Sequence, residues 1–111
     1  MILDKLVMAI IQDEDAHYLM DALSAEGFSV TKLASTGGFL RTGNTTFICG
    51  VSEQRLPEIV EIIEKKCKMR KQIASIPTMN TSDASFTSYP VEVTVGGANI
   101  FILNIERFSR L

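Results

Sequence analysis

The sequence of 111 residues contains no tryptophan, and aromatic residues make up only 7% of it. The hydrophobic residues, 46% of the total, are mostly Ile, Leu, Val, Ala and Met, which predicts an aliphatic core. No apolar run approaches the ~20 residues that a membrane-spanning helix needs. The first apolar run follows the acidic Asp4 and no basic region, so a secretory signal is not predicted. We therefore expect a cytoplasmic protein without a membrane partner.

A strong excess of charge of either sign is also missing. The formal net charge is −2 and the sequence pI is about 5.3. A chain with this balance has no overall attraction to a polyanion. Nucleic acid is therefore not expected as a partner.

Cysteine and histidine are too scarce to suggest a catalytic or metal centre. Cys49 and Cys67 have a spacing that fits no metal site, and we expect buried, reduced thiols rather than a disulfide. His17, the only histidine, falls on the polar face of a predicted helix, where we expect a surface residue. The acidic run 13–15 begins that helix and complements its dipole. Without a paired nucleophile and base, we predict no enzyme activity, no cofactor and no bound metal.

Hydrophobic periodicity predicts a single α+β domain that spans residues 1–111. Apolar residues alternate or run continuously in the predicted strands, and they recur at three- and four-residue spacing in the predicted helices. The predicted elements are a strand over 6–11, a helix over 13–27, strands over 28–34 and 45–51, a helix within 52–67 and a short strand over 73–76. This βαββαβ order is typical of a ferredoxin-like fold.

Two further segments follow the second predicted helix. The basic run 65–71 is predicted to be a solvated helix end, with a phosphate or partner patch as the alternative. The polar stretch 77–90 is predicted to be a long loop that acts as a lid or is disordered. Alternating residues on both sides of Gly96 and Gly97 predict an additional C-terminal β-hairpin over 90–103.

The segment from Thr36 to Thr46 is the candidate binding site. It contains three glycines among hydroxyl and amide side chains, and glycines let successive backbone N–H groups face an anion. Phe39 could stack on a base, and Arg41 could contact a phosphate. The segment matches neither a P-loop nor a dinucleotide-binding fingerprint. Composition alone leaves a simple hairpin loop and a ligand cradle equally open.

A longer run around this segment resembles a known family. The residues TKLASTGGFLRTGNTTF, at positions 31–47, are similar to the signature of the cyclic di-AMP receptors, the PstA or DarA proteins of the PII-like superfamily. The resemblance continues at 9–13, at 89–93 and at 96–98, and so covers nearly the whole chain.

The resemblance implies a homotrimer that binds cyclic di-AMP in clefts between subunits, with ligand-driven ordering of loops and no chemistry on the ligand. By the same resemblance, Thr31 contacts a phosphate, while Asn44 and Gly50 meet the edge of a base. The wall of the adenine pocket is assigned to Gly38, Phe39 and Leu40.

The sequence departs from the family pattern at three positions. Gly27 and Ser29 stand where the family has an Asn and an Arg, and Arg110 stands where it has a Gln. We include Ser29 and Arg110 among the candidate ligand residues, with the hypothesis that Arg110 restores the missing positive charge. The alternative function is a PII-like interaction subunit that has weak or lost cyclic di-AMP binding and contacts a protein target. A small ferredoxin-like enzyme is the third and least supported alternative.

Overall fold

The computed structural model describes residues 2–33, 43–79 and 86–111. It contains two α-helices and six β-strands, and a short 3₁₀ turn, Glu53–Arg55, precedes the second helix. In chain order the elements are β1 Lys5–Gln12, α1 Asp13–Ala25, β2 Val30–Leu33, β3 Asn44–Val51, α2 Leu56–Cys67, β4 Arg70–Met79, β5 Phe86–Val95 and β6 Ala98–Asn104.

Four strands form an antiparallel sheet in the order β2-β3-β1-β6. In the centre of this sheet, Ala9 of β1 pairs with Phe47 of β3 on one side and with Ile100 of β6 on the other. Alternate residues of β1 are buried, as expected of a sheet that helices cover on one face. The predicted α+β, ferredoxin-like architecture is confirmed. The buried hydrophobic residues are Val7, Ala9, Ile11, Ala16, Leu19, Leu23, Phe28, Phe47, Cys49, Val51, Ile59, Ile63 and Cys67.

The opposite face of the sheet, here called the open face, is apolar and only partly buried. Residues of β1 between the buried positions point to it, and the register places Phe101 beside Met8 and Leu103 beside Leu6. Phe101 is 52% exposed and Leu103 is 46% exposed. The single chain therefore leaves aromatic and aliphatic side chains uncovered on this face.

The partners of the last three strands differ from the sequence prediction. The additional hairpin is the pair β4–β5, a separate two-stranded ribbon, and β6 pairs with β1 as the fourth strand of the main sheet. The pairing predicted between 90–95 and 98–103 is therefore wrong. The predicted strand over 73–76 lies inside the longer β4. Within the predicted loop over 77–90, residues 77–79 and 86–90 are strand, and residues 80–85 lie outside the described part.

The turn between β5 and β6 explains this change of partner. Gly96 and Gly97 both have positive φ, 85° and 91°, a conformation that glycine adopts without strain. The N–H of Gly96 donates to Oε1 of Gln12 at 2.7 Å, and the N–H of Gly97 donates to the carbonyl of Cys67. The two glycines therefore join the ribbon to the main sheet rather than closing a hairpin.

The ribbon makes the molecule elongated. Its principal extents are 66 × 28 × 20 Å and its radius of gyration is 18.6 Å. A compact domain of this length would have a radius of gyration of about 13 Å. The ribbon starts at a partly buried ion pair, in which Nη2 of Arg70, a half-buried side chain, lies 2.8 Å from Oδ1 of Asp15, a residue only 3% exposed. The prediction of a solvated basic helix end is therefore wrong for Arg70.

Candidate functional site

The β2–β3 pair at the edge of the sheet presents the first group of predicted ligand residues. Thr31 pairs with Ile48 and is exposed, and its side chain points to the open face, as does Ile48. The neighbouring Val30 packs against the core, and Lys32 points to the same face as Val30. Thr31 is therefore available to a ligand on the open face.

A small cavity brings together two of the predicted residues at the end of these strands. Ser29 and Gly50 both line it, and its volume is about 90 Å³. A Cβ at position 50 would lie 3.2 Å from Cδ1 of Leu3, so glycine keeps this space open. The lining residues are Leu3, Gly27, Phe28, Ser29, Gly50, Val51, Ser52 and Arg55. The cavity therefore has both apolar walls and polar groups, as small-molecule sites do.

Arg55 is a cationic residue of this cavity that sequence reasoning missed. Its Nε and Nη2 atoms each donate to a carboxylate oxygen of Glu58 at 3.1 Å, and Nη2 also donates to the carbonyl of Glu26 at 2.7 Å. The guanidinium lies over the ring of Phe28, with Cζ 3.9 Å from the ring centroid. The hydrogen bond between Arg55 and Glu58 raises the pKa of Arg55 and lowers the pKa of Glu58, so both groups are charged at neutral pH.

Within one subunit, Asn44 lies far in space from the small cavity. It is the first residue of β3 and pairs with Gln12, whereas Gly50 pairs with Leu6 near the other end of the strand. Six residues of extended strand separate Asn44 from Gly50, a distance of about 20 Å. One chain therefore cannot bring Asn44 and Gly50 to the edge of the same base.

The start of β3 is fixed to the first turn of α1. The N–H of Asp13 donates to the carbonyl of Gly43 at 2.8 Å, and the hydroxyl of Thr45 donates to Oδ1 of Asp13 at 2.5 Å. Next to it, Thr46 is buried, and its hydroxyl has no hydrogen-bond partner among the described residues. Thr46 is the last residue of the candidate segment, but the sequence analysis assigns no contact to it; strand alternation from Ile48 places it on the open face.

The remaining predicted site residues are not brought into the cavity. Gly38, Phe39 and Leu40, together with most of the segment from Thr36, lie outside the described residues. Arg110 is exposed in the segment after β6, and within the described part of the chain it makes no hydrogen bond or ion pair with the other candidates. That segment leaves the sheet near Asp4, whose carbonyl accepts the N–H of Ile105 at 3.0 Å.

A larger cavity of about 440 Å³ lies beside the base of the ribbon. It contains none of the predicted ligand residues. Its lining is mostly charged and includes the Asp15–Arg70 ion pair.

Over the described ranges, no group of three potential ligands among His, Cys, Asp and Glu is close enough to hold a metal ion. In the same ranges no helix is long and apolar enough to cross a membrane.

Comparison with known proteins agrees with this architecture. The profile of a family described as cyclic-di-AMP receptor matches residues 4–111. A crystal structure of a protein of unknown function from Pediococcus pentosaceus is similar over 99% of this chain and 100% of its own, with 40% sequence identity and a TM-score of 0.75. The family match covers nearly the whole sequence, including Ser29 and Gly50 of the small cavity. This chain therefore belongs to the cyclic di-AMP receptor family.

Proposed function

We propose that the protein is a PII-like, cytoplasmic signal-transduction protein that binds cyclic di-AMP in clefts between the subunits of a homotrimer. Binding rearranges loops and changes the surface offered to a downstream protein target, and the ligand is released without chemistry. The observation that carries this proposal is the family match over residues 4–111. The cavity that unites Ser29 and Gly50 beside Thr31 supports it.

The positions of the candidate residues favour a site between subunits. Asn44 and Gly50 lie at opposite ends of β3, and the cavity at the Gly50 end, about 90 Å³, is small for a dinucleotide. A second subunit placed against the open face would enlarge the binding site and add its own residues to the lining. It would also cover Phe101 and Leu103, which the single chain leaves exposed.

Calorimetric titration of the purified protein with cyclic di-AMP tests the proposal. Cyclic di-GMP, ATP and AMP are titrated in parallel, and light scattering gives the mass of the protein in the same buffer. We expect saturable binding of cyclic di-AMP at one site per subunit and much weaker binding of the other nucleotides. Absence of binding at high micromolar cyclic di-AMP would contradict the proposal.

The alternative is an interaction subunit with weak or lost nucleotide binding. Gly27 and Ser29 favour this alternative because neither has a side-chain amide or a cationic group to offer to the cavity that they line. A thermal-shift measurement separates the two functions, since a ligand that binds only the folded state raises the melting temperature by mass action. A shift with cyclic di-AMP alone supports the receptor. No shift with any nucleotide supports the interaction subunit.

A further inference from the structure

We propose that Arg55 is a ligand-binding residue that neutralises a phosphate of the bound dinucleotide. The inference rests on the proposed function, and it assigns a role to a residue that the sequence analysis did not single out.

A cyclic dinucleotide brings negative charge, and the candidate ligand residues that line the small cavity carry none to offset it. Both of its phosphodiester groups are ionised at neutral pH. Thr31, Ser29, Asn44 and Gly50 are neutral, and burying an anion without a cationic or hydrogen-bonding partner is costly. Arg110 lies in an exposed segment and, within the described part of the chain, makes no hydrogen bond or ion pair with them. A cation near Ser29 and Gly50 would offset this charge.

Arg55 is the cationic side chain that lines the cavity in the described part of the chain. It lines the same cavity as Ser29 and Gly50, and its side chain is 34% exposed, so it is accessible from solvent. Three of the five guanidinium N–H groups donate to Glu58 and Glu26, and the two on Nη1 have no partner among the described residues, so they can donate to a phosphate oxygen. The position and the chemistry of Arg55 therefore both fit a phosphate.

The guanidinium is already fixed in orientation. Glu58 holds two of its nitrogen atoms, the carbonyl of Glu26 accepts from Nη2, and the ring of Phe28 lies beneath it. A side chain ordered in advance loses little conformational entropy when a ligand arrives. Glu58 also offsets part of the positive charge, so removal of this carboxylate should increase attraction to a phosphate.

A purely structural Arg55 would behave differently. In that role it would only connect the end of α1, through Glu26, to the start of α2, through Glu58. Its replacement would then lower stability and leave ligand affinity unchanged in the folded protein. Replacement of Glu58 would lower stability as well and would not strengthen ligand binding.

The test is calorimetric titration of the full-length protein with cyclic di-AMP. The variants are Arg55→Gln, Arg55→Lys and Glu58→Gln. The matched controls are Lys65→Gln and Glu61→Gln, since these residues form an ion pair of 2.9 Å on the same helix outside the small cavity. Circular dichroism and a melting curve establish that each variant is folded.

We expect Arg55→Gln to lower affinity about tenfold or more, because the variant loses a charge-assisted hydrogen bond to the phosphate. Glu58→Gln should raise affinity at low ionic strength, and this gain should shrink as salt is added. Arg55→Lys should fall between wild type and Arg55→Gln, and both controls should bind as wild type does.

Wild-type affinity in folded Arg55→Gln would overturn the inference and leave the proposed function standing. If Arg55→Gln does not fold, Glu58→Gln decides, and affinity equal to or below wild type in that variant would overturn the inference. A wild-type protein that binds no cyclic di-AMP would overturn the proposed function, and the inference with it.

Discussion

At the scale of single residues, Thr31 and Lys32 provide a direct test of which face of β2 meets the ligand. Their side chains point to opposite faces of the strand, and both are exposed. We expect Thr31→Val, which removes a hydroxyl but keeps the shape, to lower cyclic di-AMP affinity about tenfold. Lys32→Gln should change affinity less than threefold. Calorimetry measures both, and equal effects of the two substitutions would contradict the assignment of Thr31.

The two cysteines should be inert in the folded protein. Cys49 and Cys67 are 4% and 1% exposed and unpaired. Burial raises the pKa of Cys67 to about 11, assisted by the negative charge of Asp15 and opposed by Arg70, and burial also raises the pKa of Cys49. A raised pKa keeps the reactive thiolate scarce at pH 8.

We therefore expect a thiol-reactive chromophore at pH 8 to label neither cysteine in native buffer and both in denaturant. The native rate should rise with pH toward the pKa of Cys67, as the thiol ionises. Rapid stoichiometric labelling of either cysteine in native buffer would show that the helix–sheet core opens readily.

The candidate residues differ in how far sequence alone can suggest them. Ser29, Thr31 and Gly50 are predicted ligand residues from their positions relative to the family pattern, and the structure places Ser29 with Gly50 in one cavity. Arg55 and Asp15 acquire their surroundings from residues distant in the chain. Periodicity describes a single element and carries no information on such contacts.

At the scale of elements, the base of the ribbon depends on the ion pair between Asp15 and Arg70. Both Arg70 nitrogen atoms, Nη1 and Nη2, donate to the Asp15 carboxylate, at 3.4 and 2.8 Å. We expect Arg70→Met to lower the free energy of unfolding, because it leaves the buried carboxylate of Asp15 without its partner. Urea denaturation followed by circular dichroism measures this change.

The double variant Asp15→Leu with Arg70→Met is the control for this prediction. It removes both charges, so it should be more stable than Arg70→Met alone. Lys71→Met, at the residue next to Arg70, breaks an exposed ion pair with Glu92. It should lower the free energy of unfolding by less than about 1 kcal/mol. An equal loss of unfolding free energy in Lys71→Met and Arg70→Met would mean that the burial of Asp15 does not make its ion pair with Arg70 more important for stability.

The helices were predictable from sequence and the strand partners were not. The spacing of Leu19 and Leu23 in α1, and of Ile59 and Ile63 in α2, identifies the buried side of each helix without knowledge of its neighbours. Strand alternation over 90–95 and 98–103 is compatible with pairing to each other or to other strands. The hydrogen bonds of Gly96 to Gln12 and of Gly97 to Cys67 favour the pairing of β6 with β1. These are tertiary contacts, which alternation does not reveal.

At the scale of the whole molecule, the open face should be an interface between copies of the chain. Phe101 and Leu103 are about half exposed in the single chain, next to Met8 and Leu6. Light scattering should give a mass three times that of the 12.2 kDa chain. Phe101→Lys should shift the protein toward the monomer because a lysine in an apolar interface is costly.

The control for this prediction is Tyr18→Lys, since Tyr18 is 66% exposed on α1, away from the open face. It should leave the mass unchanged. A monomeric wild-type protein, or a Tyr18 variant that dissociates as the Phe101 variant does, would contradict the predicted interface.

In the proposed site, Asn44 and Gly50 of one binding cleft come from different chains, because they are far apart along β3. Such a receptor would exist only as an assembly, so its sensitivity to cyclic di-AMP would depend on the abundance of the protein. Dilution below the concentration at which the chains associate should abolish binding even at saturating ligand. The amount of protein made would then set the threshold of the response together with the amount of second messenger.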